Sequence, residues 1–398
     1  MATRTTGIVA YRPAIGKYII DPRTKTQYIL QKVIGTSGYD FVYRAWYYTL
    51  NSSINGSLLP SGFVTIKYLR PGPEIVRTRA QERFSNPNPN LIYINTWYIR
   101  KFQDGYCVTL PYMSEGSIRY ILSKRFHYGL PEDCIAIVLK EALLGLLDIH
   151  NSNRVHKSFS AGTIFVNYKS TPVSSVEIKL AYAATAYESD LETPIVSIDV
   201  VDDAKVGVYR GEPSVPPLTI MSEWGAAPEV FYAKYADSDS DDDNRNPVYP
   251  KEPDENGYTN KSDIWLVGIA ALELAYGNIR VSHRKEFEAM IEKIRRTKKL
   301  PLKLEYLLGE INAENLGGKM KKIKGYFKDK IKSVKKKGER VFSKDFEELV
   351  LDCLSKKASK RPTVEELLQR PSFQNAKDLK YFQRRVLLAK NSMPDADD

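Results

Sequence analysis

Cysteine and histidine are scarce in this chain, with three cysteines and four histidines among 398 residues. Cys107, Cys134 and Cys353 lie far apart, each in an apolar stretch. They make neither a disulfide framework nor a zinc cluster, and a reducing compartment is expected. No apolar run approaches the roughly 18 residues of a membrane span, which predicts no transmembrane segment. The N-terminus, Met1-Ala2-Thr3-Arg4, lacks the apolar core of a signal peptide. These absences together predict a soluble intracellular protein, cytoplasmic or shared between cytoplasm and nucleus.

What is present is ordinary in amount and uneven in placement. Hydrophobic content of 42% and charged content of 27% suit a soluble globular chain long enough to bury a large core. The formal net charge is +11. Much of the surplus sits between Lys319 and Lys344. The run Asp237-Ser238-Asp239-Ser240-Asp241-Asp242-Asp243 and the tail Asp395-Ala396-Asp397-Asp398 oppose it. Two readings of the lysine segment stay open: a solvated loop, or a dock for an acidic partner, nucleic acid or anionic lipid.

Patterning divides the chain into a β-rich part followed by a helical part, an α+β class. Residues 1–27 read as a flexible leader. Alternation marks strands at Tyr28–Ile34, Phe41–Trp46, Phe63–Leu69, Leu91–Ile99 and Tyr106–Leu110, with turns at Gly35–Gly38 and Asn51–Gly62. Ile75–Phe84 is expected as a short helix. Residues 28–113 then form one lobe and 114–376 a second, larger one, with insertions near 237–257 and 315–342, and 377–398 as a C-terminal tail. Helices are predicted at Ser117–Arg125, Glu132–Asn151, Asp263–Ala275, Phe346–Leu354 and Val364–Gln369. In the second of these, Ile135, Val138, Leu139, Leu143, Leu146, Leu147 and Ile149 face inward.

Several motifs, in order along the chain, carry chemistry or its remains. Gly35-Thr36-Ser37-Gly38-Tyr39-Asp40-Phe41-Val42 is similar to the kinase glycine-rich loop, with Gly35 and Val42 kept. Ser37 and Asp40 stand where glycines let backbone amides approach phosphate. Val64-Thr65-Ile66-Lys67 resembles V-A-I-K. Its Lys67 would bridge phosphates to a helix glutamate, but Arg79 falls at that position, with Glu74 and Glu82 nearby. His156-Lys157-Ser158-Phe159-Ser160-Ala161-Gly162-Thr163 resembles the catalytic loop H-R-D-x-x-x-x-N. Ser158 replaces the base and Thr163 a metal ligand. Tyr182-Ala183-Ala184 stands in the D-F-G position, so Tyr182 replaces the second metal ligand. Structural landmarks are intact: Ala227-Pro228-Glu229, Lys261-Ser262-Asp263-Ile264-Trp265 and Arg361-Pro362.

On these residues the chain resembles the protein kinase fold from about Tyr28 to Phe373, and within it the STE20 group and its STRAD-type pseudokinase adaptors. The resemblance implies a bilobal α+β domain. It implies that Asp263 receives backbone amides from the catalytic loop and that Arg361 forms a buried ion pair with Glu229. A neutral hydroxyl at 158 cannot serve as a carboxylate base near neutral pH, so no catalytic residue and no metal site is expected. Gly35, Val42, Lys67, Leu110, Tyr112, Met113 and Phe165 would line a nucleotide pocket holding ATP without divalent metal, unless Phe165 plugs it. Ser214, Thr219 and Ser222 lie in the activation-segment region, as phosphorylation sites or as part of a docking surface. The implied role is adaptor and allosteric activator of a partner serine/threonine protein kinase in signal transduction. An armadillo-type scaffold protein would be a further partner, though no aromatic-acidic motif follows Tyr381-Phe382; nucleic acid is not expected. Two alternatives remain: an atypical or weakly active kinase using Lys67, and a structural scaffold that binds acidic partners or membrane through its lysine-rich segment.

Overall fold

The computed structural model describes residues 15–21, 24–37, 40–48, 53–54, 57–58, 61–69, 88–93, 96–99, 106–170, 174–181, 219–220, 225–235, 258–277, 280–281, 284–304 and 339–389. The expected helix Ile75–Phe84, Tyr182–Ala184, Ser214, Ser222, the acidic run and Lys319–Lys337 lie outside these residues, as does the acidic tail. The chain separates into two compact units, Met1–Ser114 with Ala181–Arg210, and Glu115–Leu180 with Gly211–Asp398. No described helix is long and apolar enough to cross a membrane.

The first unit is built on strands β1 (Tyr18–Ile20), β2 (Gln27–Ser37), β3 (Asp40–Tyr48), β4 (Ser53–Ile54), β5 (Ser57–Leu58), β6 (Gly62–Leu69), β7 (Leu91–Ile92), β8 (Thr96–Ile99) and β9 (Tyr106–Pro111). Six of them form an antiparallel sheet in the order β1-β2-β3-β6-β9-β8. Period-two alternation sets its buried face: Tyr43 and Ala45 of β3 and Val64 and Ile66 of β6 pack with Tyr28, Leu30 and Cys107. The sheet also corrects three expectations. Tyr18–Ile20, assigned to a flexible leader, is a strand paired with β2, and Asp21 after it is buried. A three-residue strand is too short to show a period. Gly35–Ser37 is strand and not turn, because β2 stays paired to Ser37↔Asp40. The expected strand Leu91–Ile99 is two strands, β7 and β8.

In the second unit β10 (Gly116–Ser117) leads into α1 (Ile118–Arg125), whose N-cap Ser117 accepts from the Tyr120 N–H. Helix α2 (Glu132–Asn151) follows, with its apolar stripe inward as expected; Leu147 alone of the named seven is only half-buried. Strands β11 (Ile164–Lys169) and β12 (Ser175–Ala181) form an antiparallel hairpin. Then come β13 (Thr219–Ile220), α3 (Pro228–Tyr235), α4 (Asn260–Tyr276), β14 (Arg280–Val281), α5 (Arg284–Thr297) and α6 (Lys344–Cys353). The unit closes with α7 (Val364–Leu368), α8 (Pro371–Gln374) and α9 (Leu379–Phe382), the last continuing into a π-helical turn, Gln383–Leu387.

Helix α4 is the post around which this unit is packed. Every residue from Ser262 to Tyr276 is buried, as an all-round apolar helix requires. Gly268 lets α6 approach: a Cβ there would lie 2.9 Å from the Cys353 Cβ and from Leu354.

Two boundaries move. Residues 377–387, expected as tail, are packed against the fold, because Leu379, Phe382 and Val386 recur at helical spacing and the last two are buried. The insertion expected to run to 342 ends earlier, since Phe342 packs edge-on to Tyr276 and tilted against Phe346.

Candidate functional site

The loop after α2 reverses direction and returns as β11, which leaves a string of backbone amides needing partners. Two carboxylates from α4 supply them. Asp263, 0% exposed, accepts from the His156 N–H through Oδ2 at 2.7 Å and from the Lys157 N–H through Oδ1 at 2.8 Å. His150 Nε2 also lies 2.9 Å from Oδ2. The grip holds Lys157 at φ 69°, a left-handed conformation that costs a non-glycine residue about 1 kcal/mol. The Lys157 ammonium lies 5.0 Å from the Tyr258 ring centroid.

Glu273, three turns further along α4 and 3% exposed, holds the other end of the loop. Its Oε2 accepts from the Ala161 N–H at 3.0 Å and its Oε1 pairs with Arg119 at 2.9 Å. Gly162 makes room for that arginine: a Cβ there would sit 2.5 Å from Nη1. Asp263 was legible in its motif. Glu273 was not singled out, and the available signal was a lone acid inside a helix that is otherwise apolar all round.

Between these anchors lie the positions where kinase chemistry would be expected. The Ser158 N–H donates to His156 Nδ1 at 3.3 Å, and Phe159 is buried edge-on to the same imidazole. The buried Thr163 hydroxyl is taken up by its own loop. Oγ1 accepts from the Ser160 N–H at 3.0 Å and lies 3.1 and 3.0 Å from the Ser158 and Ser160 carbonyls. A side chain so engaged is a poor fit for a hard cation, which prefers oxygens aimed outward from carboxylates or amides. Asp263 and Glu273, carboxylates close to the loop, are engaged by backbone amides, the His150 imidazole and the Arg119 guanidinium. The second expected ligand position, Tyr182, lies outside the described residues, directly after β12.

The expected nucleotide-pocket residues fall on both units. Gly35, Val42 and Lys67 form one cross-strand row through the pairs Gly35↔Val42 and Val42↔Lys67. Lys67 is only 4% exposed, unusual for a lysine, which seldom loses its water without a partner. Leu110 sits opposite Thr65, and Tyr112 packs its ring 5.6 Å from Phe63 with Arg44 over both rings. Met113 is buried. Phe165 belongs to the second unit, half-buried on β11 opposite Ser117 and Lys179.

Downstream landmarks lock α3 to α4. Arg361, fully buried, forks onto Glu229 at 2.6 and 2.9 Å and also donates to the carbonyls of Lys261 and Ser355. Its guanidinium carbon lies 5.1 Å from the Trp265 ring, and Trp265 Nε1 donates to the Gly225 carbonyl. Ser262 links the α4 N-terminus to the same glutamate at 3.1 Å. Both ion-pair and amide-acceptor roles expected for Arg361 and Asp263 are therefore present. Burial pushes the Cys134 and Cys353 thiols up to about 12, which makes both inert packing groups.

Comparison with known proteins agrees with this geometry. Residues 248–373 match the protein kinase domain. The serine/threonine-protein kinase fray2 of Dictyostelium discoideum is 24% identical over 366 residues, 92% of this chain and 27% of the relative. Germinal center kinase 3 of Caenorhabditis elegans is 26% identical over 316 residues, 77% of this chain and 41% of the relative. The STE20-related kinase adapter protein alpha of Gallus gallus is 25% identical over 302 residues, 73% of this chain and 66% of the relative. The chain thus spans between about a quarter and two thirds of the length of these relatives. It carries a protein kinase fold, and its likeness is to STE20-group kinases and a STE20-related adaptor, at low identity.

Proposed function

We propose that this chain is a catalytically inactive STE20-like pseudokinase that serves as adaptor and allosteric activator of a partner serine/threonine protein kinase. One observation carries the reading. The catalytic loop is held at both ends by buried carboxylates, yet its base position is Ser158 and its metal-ligand position is Thr163, a hydroxyl bound to its own loop. Phosphoryl transfer relies on a carboxylate base and on metal ions that neutralise charge across the transferring group. Neither requirement is met by these side chains, whereas the residues that keep the fold rigid remain. The similarity to a STE20-related kinase adapter supports the same conclusion.

A rigid, inactive domain acts on a partner by binding its active conformation more tightly than its inactive one. A coupling of about 1–3 kcal/mol shifts such a conformational equilibrium about 5- to 150-fold. ATP would bind near Lys67 as a structural ligand, without metal. The test measures labelled phosphate transfer by the purified chain in Mg²⁺ and in Mn²⁺, then the rate of a STE20-group kinase with and without the chain added. No transfer by the chain and a rise of severalfold in the added kinase is the expected result. Transfer that vanishes on Lys67→Met would reverse the assignment and make the chain an atypical kinase.

A further inference from the structure

Strand β1 stands at the edge of the six-stranded sheet, and among the described residues no strand pairs with its other side. Its hydrogen bonds show which backbone groups that leaves over. The Gly16 N–H donates to the Leu30 carbonyl at 2.8 Å, and the Leu30 N–H donates to the Lys17 carbonyl at 3.2 Å. With Gly16 at φ 82°, residues 16 and 17 together oppose Leu30 as a β-bulge. Further on, Ile19 faces Tyr28 and the Asp21 N–H donates to the Thr26 carbonyl at 3.0 Å. Residues 17, 19 and 21 therefore bond inward, and antiparallel alternation turns the N–H and C=O groups of Tyr18 and Ile20 outward.

The same two residues carry exposed apolar side chains. Tyr18 is 64% and Ile20 54% exposed, with Ile15 at 59% just before the bulge. Soluble proteins commonly guard such an edge with charged side chains; this face of β1 is apolar. Register makes Tyr18 the rim of a larger surface. The pairs Tyr18↔Ile29, Ile29↔Trp46 and Trp46↔Phe63 put four side chains in one cross-strand row, with Trp46 and Phe63 stacked at 3.8 Å. The row lies on the face opposite the buried cluster of Tyr28, Leu30, Tyr43 and Ile66, and none of its four members is itself buried.

Charge names the occupant. Lys17 on the other face of β1, Lys25 in the turn after it and Lys32 on β2 are all exposed. Asp21, the one acidic residue from Ile15 to Ser37, is buried. Two copies paired edge to edge would bring the lysine-bearing ends of their strands together, which disfavours self-association. A three-residue strand also offers far less area than a stable dimer needs. A strand with apolar side chains on one face and carboxylates on the other complements both faces of β1.

We propose that the free edge of β1 is a docking site for an extended acidic peptide of a partner protein, in which apolar and acidic residues alternate. The peptide joins the sheet as a further strand, its backbone bonding the outward groups of Tyr18 and Ile20. Its apolar residues lie opposite those two and lengthen the row that runs from Tyr18 to Phe63. Its carboxylates face Lys17 and the turn that carries Lys25. The surface belongs to the first unit alone, and the inference is independent of the kinase-activator reading.

The experiment titrates the full chain into a labelled, end-capped peptide of alternating valine and glutamate, about eight residues long, and follows anisotropy. Saturable binding is expected, about tenfold tighter than for the valine–lysine counterpart and weakening from about 0.05 to 0.5 M salt. N-methylation separates backbone pairing from charge attraction. Residues opposite Tyr18 and Ile20 exchange hydrogen bonds with them. Methyl groups on the valine nitrogens should therefore weaken binding by about tenfold or more, and on the glutamate nitrogens hardly at all. Ile20→Pro removes one outward N–H and should weaken binding severalfold at unchanged Tm, because an edge strand tolerates proline. Lys17→Glu with Lys25→Glu should reverse the preference in favour of the lysine peptide. No saturable binding, equal binding of both peptides, or equal loss from the two methylations overturns the proposal. So does a concentration-dependent dimer that Ile20→Pro abolishes, since the edge then belongs to a second copy.

Discussion

Arg361 and Glu229 form the most consequential pair of single residues outside the catalytic loop. The arginine has lost all contact with water, and its fork is filled by one carboxylate and backbone carbonyls. Removing the arginine strands the partly buried Glu229 carboxylate, a change that costs about 3–5 kcal/mol. Arg361→Met should therefore lower the denaturant midpoint sharply, and adding Glu229→Leu should recover most of the loss. A double variant no more stable than the single one would show that the carbonyl contacts dominate, not the ion pair. This pair and Asp263 could be read from sequence because their neighbours form spaced motifs. Glu273 could not, because its partners are the amide of Ala161 and the guanidinium of Arg119, 112 and 154 residues away. Only folding brings such partners together. Thr163 stands between these cases: its substitution was visible, but its hydrogen bonds to Ser158 and Ser160 were not.

Helices were the elements most open to reading, since length and burial reinforce their period. Residues Glu132–Asn151 emerged with both ends as expected, and Asp263–Ala275 grew by a turn at its start, where Thr259 donates its N–H to Ser262 Oγ at 3.1 Å. Helix α5 was missed, although Phe287, Met290, Ile291 and Ile294 mark a clear buried stripe. Short strands such as β1 carry too few residues for any period, and their existence follows from pairing alone. The contact of α4 with α6 gives an element-scale test. Gly268 faces the Cys353 Cβ and Leu354 with no room for a methyl group. Gly268→Ala gains helix propensity worth about 1 kcal/mol, but overpacking typically costs about 1–3 kcal/mol. The net effect should be destabilising by thermal melt, with α4 still helical by circular dichroism; a stabilised variant would show that α6 can slide away at little cost.

At the scale of the whole molecule, the proposed pseudokinase would keep ligand binding while losing turnover. Lys67 is buried in a row with Val42 and Gly35. If ATP binds there as a structural ligand, it stabilises the native chain by mass action, about 1.4 kcal/mol at ten times its dissociation constant. For a chain this long that corresponds to a rise in Tm of about 2 °C. The rise should persist in EDTA, because Thr163 offers its hydroxyl to backbone groups, and it should vanish in Lys67→Met. A shift that requires Mg²⁺ would mean that another side chain holds the metal. No shift at millimolar ATP would remove the structural-ligand part of the proposal.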